Sequence, residues 1–145
     1  MLISGLVNML RIFLVGLVFA FCGSASAEDN GGLQTELLAQ TSRSWNGAEL
    51  PGYPTGKPEV SIVKVTIPAG AMVASHKHPG INAGYLLSGE LTVVTEKGET
   101  LRLKAGDAIV EVVEQWHFGR NEGESHAVIV VFYAGVQGEK LSIIK

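Results

Sequence analysis

Three histidines stand in two short stretches of the sequence where a metal ion could be bound. His76 and His78 are one residue apart between strand-like segments, so in an extended strand both side chains project from the same face. Two imidazoles on one face can bind one metal ion. The alternative is that both are exposed polar residues at a strand end, where Pro79 and Gly80 turn the chain. A third histidine, His117, follows another strand-like run.

The spacing around the first two histidines resembles the first sequence motif of the cupin family. That motif consists of a glycine, five residues, His-x-His, three or four residues, a glutamate, six residues and a glycine. Gly70, His76, His78 and Gly89 occupy the corresponding positions, and Asn82 stands in place of the glutamate. Several matches at fixed spacing are more specific than a lone His-x-His pair.

The stretch around the third histidine resembles the second cupin motif. That motif consists of a glycine, five residues, Pro-x-Gly, two residues, a histidine, three residues and an asparagine. Gly106, His117 and Asn121 match it, whereas Val112 replaces the proline and Glu114 replaces the second glycine. The departures fall on one expected metal ligand and on one turn.

The resemblance implies an all-β fold, the cupin-type double-stranded β-helix or jelly-roll barrel, over residues 60–135. The residue pattern agrees, because apolar residues alternate along Val60–Ile67 and glycine-bearing turns separate seven or eight short strands, one of them Ala71–His78. Such spacing indicates a sandwich or barrel. Residues 28–59 are predicted to form an N-terminal arm or linker, and residues 136–145 a C-terminal tail.

The resemblance also implies that His76, His78 and His117 bind one divalent transition metal, namely iron, manganese, nickel, copper or zinc. Three neutral imidazoles suit such ions and leave positions open for water or substrate. Asn82 is at the position of the fourth ligand, where it offers a neutral amide oxygen instead of a carboxylate.

Glu111 is the candidate catalytic base. Strand alternation places it on the face of Ile109 and Val113, and on an inward face its carboxylate would need a cation or a hydrogen-bond donor. The alternative is a rim position with the side chain in solvent or paired with a lysine or arginine. His126 follows an acidic loop and is interpreted as an exposed histidine at a strand end.

Two functions of different classes remain open. One is a metal-dependent enzyme of the oxygenase type that acts on a small molecule, with Glu111 as its base. The other is a non-catalytic module that binds a metal or a small ligand, which the loss of the family's glutamate at Asn82 favours slightly.

The first 27 residues have the layout of a secretory signal peptide. Arg11 precedes the apolar run Ile12–Cys22, and Ala25-Ser26-Ala27 has the small-x-small pattern of a cleavage site before Glu28. This predicts a secreted or periplasmic protein without stable membrane insertion after processing. The alternative is an uncleaved membrane anchor formed by residues 2–22.

Composition limits the remaining possibilities. A chain of 145 residues fits one globular domain, and a net charge of −3 does not favour nucleic acid as a partner. Cleavage before Glu28 would remove Cys22, the single cysteine, so no disulfide could form. A bound metal and a homodimer would be other sources of stability for a small exported domain.

Overall fold

The computed structural model describes residues 32–145. The chain divides into two units, residues 1–36 and residues 37–145, and the described part of the first unit, 32–36, is exposed. The predicted signal peptide and its cleavage site lie outside the described residues. No helix within 32–145 is long and apolar enough to cross a membrane.

The second unit is an all-β fold of nine strands without a helix over residues 37–145. In chain order the strands are β1 (Pro58–Ile67), β2 (His76–Lys77), β3 (Ile81–Ser88), β4 (Glu90–Thr95), β5 (Thr100–Lys104), β6 (Ala108–Val110), β7 (His117–Arg120), β8 (Ala127–Val136) and β9 (Ile143–Ile144).

The strands form two sheets, one with the order β1-β8-β3-β6 and one with the order β5-β4-β7-β2-β9. All their pairings are antiparallel. The buried core combines side chains from both sheets, among them Leu86 of β3 and Val93 of β4. This is the double-stranded β-helix that the sequence predicts.

The alternation along β1 is confirmed. Val63, Val65 and Ile67 turn inward and are at least partly buried, whereas the residues that alternate with them, Ile62, Lys64 and Thr66, are exposed. One inward face of aliphatic side chains fixes the register of β1 against β8, because a shift by one residue would turn that face to solvent.

The strand expected over Ala71–His78 is much shorter in the structure. Only β2 is a strand, and it pairs with β7 on one side and β9 on the other. Before it, the backbone makes separate contacts: Val73 N donates to Gly119 O at 2.8 Å and Asn121 N donates to Ala71 O at 2.9 Å. These separated bonds hold the segment without a continuous ladder.

Strand β9 lies in the segment interpreted from the sequence as a tail, residues 136–145. Ile143 and Ile144 pair with β2, and Lys145 N donates to Ser75 O at 3.0 Å. A strand of two residues has no periodicity that a sequence pattern could reveal.

The region predicted as an arm packs in part on its own barrel. Trp45 packs against the core, and its backbone N–H donates to Val110 O at 2.9 Å. The Ser44 hydroxyl is buried and donates to the carbonyl of Glu111 at 2.9 Å. Tyr53, in contrast, is 79% exposed.

Two residues of the motifs, Gly89 and Asn121, have structural roles. Gly89 has φ of +75°, and a Cβ there would lie 2.5 Å from His126 O, so only glycine fits without a backbone shift. Asn121 donates from Nδ2 to Ile67 O at 3.0 Å and to Ser125 O at 2.7 Å, which links β1 to the loop before β8. Both residues therefore fix turns of the barrel.

Candidate metal centre

Three histidine side chains meet where β2 pairs with β7. His76 lies directly opposite His117 in the register, and His78 follows β2 by one residue. Each ring offers one nitrogen, and these three nitrogens lie within 4.8 Å of one another. The structure thus brings together the three histidines that the sequence predicts.

Each of these histidines is oriented by a backbone carbonyl. The Nδ1 atoms contact Ala74 O at 2.8 Å from His76, Leu141 O at 2.9 Å from His78 and Gln115 O at 2.9 Å from His117. Because a carbonyl oxygen can only accept, each Nδ1 carries the hydrogen, which leaves the Nε2 lone pair free in a neutral ring. A hydrogen bond from the other ring nitrogen is the usual arrangement for a metal-binding histidine.

Burial favours the neutral form of two of these rings. It lowers the pKa of His78 from 6.5 to about 4, and the neighbouring histidines add to this effect, although the bond to Leu141 O opposes it. Burial also lowers the pKa of His117. Both rings are therefore neutral near pH 7, as a metal ligand must be.

Glu111 lies beside the histidine cluster with its side chain buried. Its Oε2 is 3.7 Å from Nε2 of His117, and neither atom has a hydrogen-bond partner among the described residues. Burial raises the pKa of Glu111 to about 7, a shift that the Val112 N–H opposes. Of the two alternatives for Glu111, the inward position is therefore correct.

Asn82 is also buried, with 1% of its surface exposed. Its Nδ2 is 3.4 Å from Gly80 O, and its Oδ1 has no partner among the residues described. An unpaired buried amide oxygen is a suitable acceptor for water or a ligand. Its role as a fourth metal ligand stays a prediction.

The structure adds two neighbours of the histidines whose positions the sequence could not give. Leu141 orients His78 through its main-chain carbonyl, which any residue type could supply, so no sequence signal exists. Tyr133 has its ring centroid 5.6 Å from that of His78. Burial, and secondarily the charge of Glu111, raises the pKa of the Tyr133 phenol.

The fourth histidine and Trp116 are not part of the cluster. His126 is exposed immediately before β8, as predicted. Trp116 is flanked by the ammonium groups of Lys77 and Lys145, at 5.5 and 5.6 Å from its ring centroid. Lys77 is paired with Glu114, and Lys145 with Glu96.

The donor set fits a transition metal. Three imidazole nitrogens are typical ligands of zinc, iron, nickel and copper, and three protein ligands leave coordination positions open. The buried, unpaired Nε2 of His117 is the kind of orphaned acceptor that a cation satisfies. His76, His78 and His117 could therefore hold one metal ion.

The family comparison agrees with the fold and the site. Residues 63–133 match the sequence model of the cupin domain. No curated protein is significantly similar to the sequence.

Several solved structures are similar to the chain. An uncharacterized conserved protein with a double-stranded β-helix domain from Klebsiella pneumoniae is 25% identical with a TM-score of 0.52, over 63% of this chain and 87% of its own. DMSP lyase DddQ from Ruegeria pomeroyi is 23% identical with a TM-score of 0.52, over 59% of this chain and 43% of its own.

Oxalate decarboxylase from Lactobacillus farciminis, solved as a formate complex, is 23% identical with a TM-score of 0.52, over 59% of this chain and 26% of its own. The chain thus spans less than half of each of these two enzymes, and at such identities the likeness concerns the fold alone. The two histidine motifs lie within residues 63–133, the part of the chain that matches the cupin domain, and the two-sheet barrel is similar in fold to the double-stranded β-helix protein from Klebsiella pneumoniae.

Proposed function

We propose that the protein is an exported, metal-dependent cupin enzyme that acts on a small molecule by oxygenase-type chemistry. The observation that carries this proposal is the common orientation of the three histidines. Each donates Nδ1–H to a backbone carbonyl, so that three Nε2 atoms converge. A site built only for stability would be closed by a fourth strong ligand, whereas three imidazoles leave room for substrate.

His76, His78 and His117 would hold the ion, and the ion would supply Lewis-acid or redox chemistry when bound. Glu111 would exchange a proton with the substrate. Its Oε2 is buried, has no partner among the described residues and lies 3.7 Å from Nε2 of His117. A pKa raised to about 7 suits proton exchange near neutral pH, where a base of ordinary carboxylate pKa would be weaker.

Metal binding is the first test of this proposal. Protein purified without a histidine tag and loaded with iron, manganese, nickel, copper or zinc is expected to hold one ion per chain by elemental analysis. His76→Ala, His78→Ala and His117→Ala should each lose several kcal/mol of metal affinity, on a scale of roughly 10 kcal/mol or more for a whole zinc site. His126→Ala, a change of an exposed histidine, is the matched control. Failure of the wild type to take up any of these metals would contradict the proposal.

Two variants, Asn82→Ala and Glu111→Gln, distinguish the roles of these two residues. If Asn82 contacts water or packs only, Asn82→Ala leaves the metal content unchanged, because an amide oxygen is a weak ligand. Glu111→Gln preserves shape and removes the charge. Strong loss of metal in Glu111→Gln would make Glu111 a ligand, whereas full metal content with lost turnover would support its role as base.

The second candidate is a non-catalytic cupin that binds metal or a small ligand. It is favoured by Asn82, which stands where the family motif has a charged glutamate. Oxygen consumption by the metal-loaded protein with a small diketone separates the two candidates. Turnover that is lost in Glu111→Gln supports the enzyme, and stable ligand binding without oxygen consumption or product supports the binding module.

Export is part of the proposal and is supported by the signal-like sequence of residues 1–27. The intact mass of the protein from the periplasmic fraction of a bacterial host is expected to begin at Glu28. Recovery of an unprocessed chain in the membrane fraction would favour the alternative, an anchor formed by residues 2–22.

A homodimer is proposed from the apolar outer face of the sheet that contains β1. Ile62 and Phe132 are neighbours in the β1–β8 register and are 70% and 43% exposed, and Val60 is 59% exposed. An apolar patch of this kind favours association with a second copy. Light scattering should give the mass of a dimer, and Ile62→Lys should shift it to that of a monomer.

A further inference from the structure

The barrel contains a partly open cavity of about 80 Å³ next to His76 of the histidine cluster. Its walls come from both sheets, and seven of its ten lining residues are valine, isoleucine or leucine, such as Val65 of β1 and Val93 of β4. His76 and Glu111 are the two polar side chains among them. The cavity therefore joins an aliphatic interior to the candidate metal centre.

Glu111 supplies a hydrogen-bond acceptor to this cavity. Its Oε2 is buried without a partner among residues 32–145, and only 8% of the residue is exposed. An unsatisfied buried polar atom costs about 1–3 kcal/mol. A ligand that donates a hydrogen bond to Oε2 would recover part of this cost.

The charge of the cavity disfavours anionic ligands. Its ten lining residues include no lysine or arginine, and Glu111 is the one acidic group among them. A carboxylate brought next to Glu111 inside apolar walls would lose its hydration without gaining a fixed positive partner from the protein.

We propose that this cavity binds a small, uncharged and largely aliphatic ligand that donates one hydrogen bond to Oε2 of Glu111 while a second oxygen faces the histidine cluster. The assignment rests on the proposed function, because it treats the cavity as the substrate site. A cavity of about 150 Å³ accommodates the six carbon atoms of benzene, so 80 Å³ alone holds about three non-hydrogen atoms, and a ligand of about five would extend beyond the cavity toward the histidine cluster. A small hydroxyketone has this composition.

Gly119 helps to set the size limit of the ligand. It lines the cavity, and a Cβ at this position would lie 3.3 Å from Cδ1 of Leu91 and 3.6 Å from Cγ2 of Val73, which line it as well. The first distance requires only a small movement of a flexible side chain. Gly119→Ala should therefore fold and reduce the space available to a ligand.

The charge preference is tested with hydroxyacetone and glycolate, a neutral and an anionic probe of equal size, on zinc-loaded protein by calorimetry. Glu111→Gln is expected to reduce the affinity ratio of hydroxyacetone over glycolate at least about tenfold, because it removes the negative charge and replaces one of the two acceptor oxygens by an NH2 donor. An unchanged ratio would overturn the assignment of Glu111 to the ligand.

The size limit is tested by Gly119→Ala, with Gly52→Ala as the matched control because Gly52 is exposed and has open space around it. Gly119→Ala is expected to lower the affinity for hydroxyacetone about tenfold and to leave the zinc content unchanged. Gly52→Ala is expected to change neither the affinity nor the zinc content. Equal affinities in Gly119→Ala and wild type would overturn the role of Gly119.

Methyl NMR of Ile129 and Val131 separates failure of this proposal from failure of the proposed function. Both residues line the cavity, so hydroxyacetone should shift their signals in metal-free and zinc-loaded protein alike, and glycolate should not shift them in the metal-free form. Absence of zinc uptake would refute the proposed function alone. Unshifted methyl signals with hydroxyacetone in both forms would refute the ligand assignment.

Discussion

Glu111 links the stability of the metal-free protein to pH. Burial raises its pKa from 4.5 to about 7, so between these values the folded state holds a proton that the unfolded state has released. Stability therefore falls as the pH rises through this window, by up to about 3 kcal/mol from Glu111 alone. His78 acts in the opposite sense: its pKa is lowered to about 4, so its contribution to stability increases as the pH rises from there towards 6.5.

Comparison of wild type with Glu111→Gln isolates the effect of the carboxyl. In urea unfolding of the metal-free proteins, the free energy of unfolding of the variant relative to that of the wild type should rise by about 2 kcal/mol from pH 5 to pH 8. The contribution of His78 is common to both proteins and cancels. A pH-independent difference would contradict the buried position of Glu111.

Glu114 replaces the second glycine of the second motif and carries the backbone cost of that replacement. It is the single non-glycine residue with positive φ in the part of the chain that the structure describes, at 55°. Its N–H donates to His78 O at 2.8 Å, which keeps the turn next to the histidines.

Glu114→Gly should be more stable than Glu114→Ala by about 1 kcal/mol, because both lose the ion pair with Lys77 but only glycine removes the Cβ from the left-handed region. Chemical denaturation of the two variants measures this difference. The reverse order, in which alanine is more stable, would show that the turn has relaxed away from positive φ.

At the scale of the strands, the alternation of apolar residues predicts long strands, and the motif spacing predicts the three histidine ligands. The alternation of Val63, Val65 and Ile67 is enough to predict β1 and its buried face. The position of Glu111 could not be predicted in this way, because β6 ends at Val110 and alternation does not tell which face is inside. Long-range pairing also determines β9, which has too few residues to show a period.

The segment that contains β9 positions the metal centre. Leu141 O holds Nδ1 of His78 at 2.9 Å, and β9 pairs with β2 next to His76. A chain that ends after Lys140 should lose about 10- to 100-fold in zinc affinity, the usual cost of removing such an orienting partner.

Side-chain ¹⁵N NMR of His78 provides a readout that a general loss of stability would not give. In the shortened chain, Nδ1 of His78 should lose its fixed protonated state. Lys145→Ala is the control, because it keeps the backbone of β9 and removes only side-chain contacts, namely the exposed ion pair with Glu96 and the approach to the Trp116 ring. The same tautomer and zinc affinity in the shortened chain would exclude positioning by this segment.

For the whole molecule, the metal is expected to be a main source of stability. The part of the chain from Glu28 onward contains no cysteine, so no disulfide is available to it. Zinc at about 100 times its dissociation constant should add about 3 kcal/mol to the free energy of unfolding, which corresponds to a rise in Tm of about 10 °C or more. Calorimetry with and without zinc measures the shift. His117→Ala should show almost no shift, and an equal shift in this variant would place the zinc elsewhere.

The fold and the three histidines could be predicted from motif spacing, whereas the cavity could not. Its shape results from the packing of two sheets, with Val65, Val93 and Val131 on different strands. The sequence shows that each of these residues is apolar. It does not show whether their side chains meet or leave space between them.

The position of the histidines in the topology also bears on the kinetics of folding. His76 and His78 lie early in the barrel, four strands (β3 to β6) separate them from His117, and the carbonyl that orients His78 comes from beyond β8. Contacts so distant in sequence close late, after most of the entropy of loop closure has been lost. We therefore expect zinc to slow unfolding while the refolding rate stays almost unchanged, because a site absent from the transition state affects only the unfolding rate. In stopped-flow experiments this would make the metal a determinant of the lifetime of the folded protein.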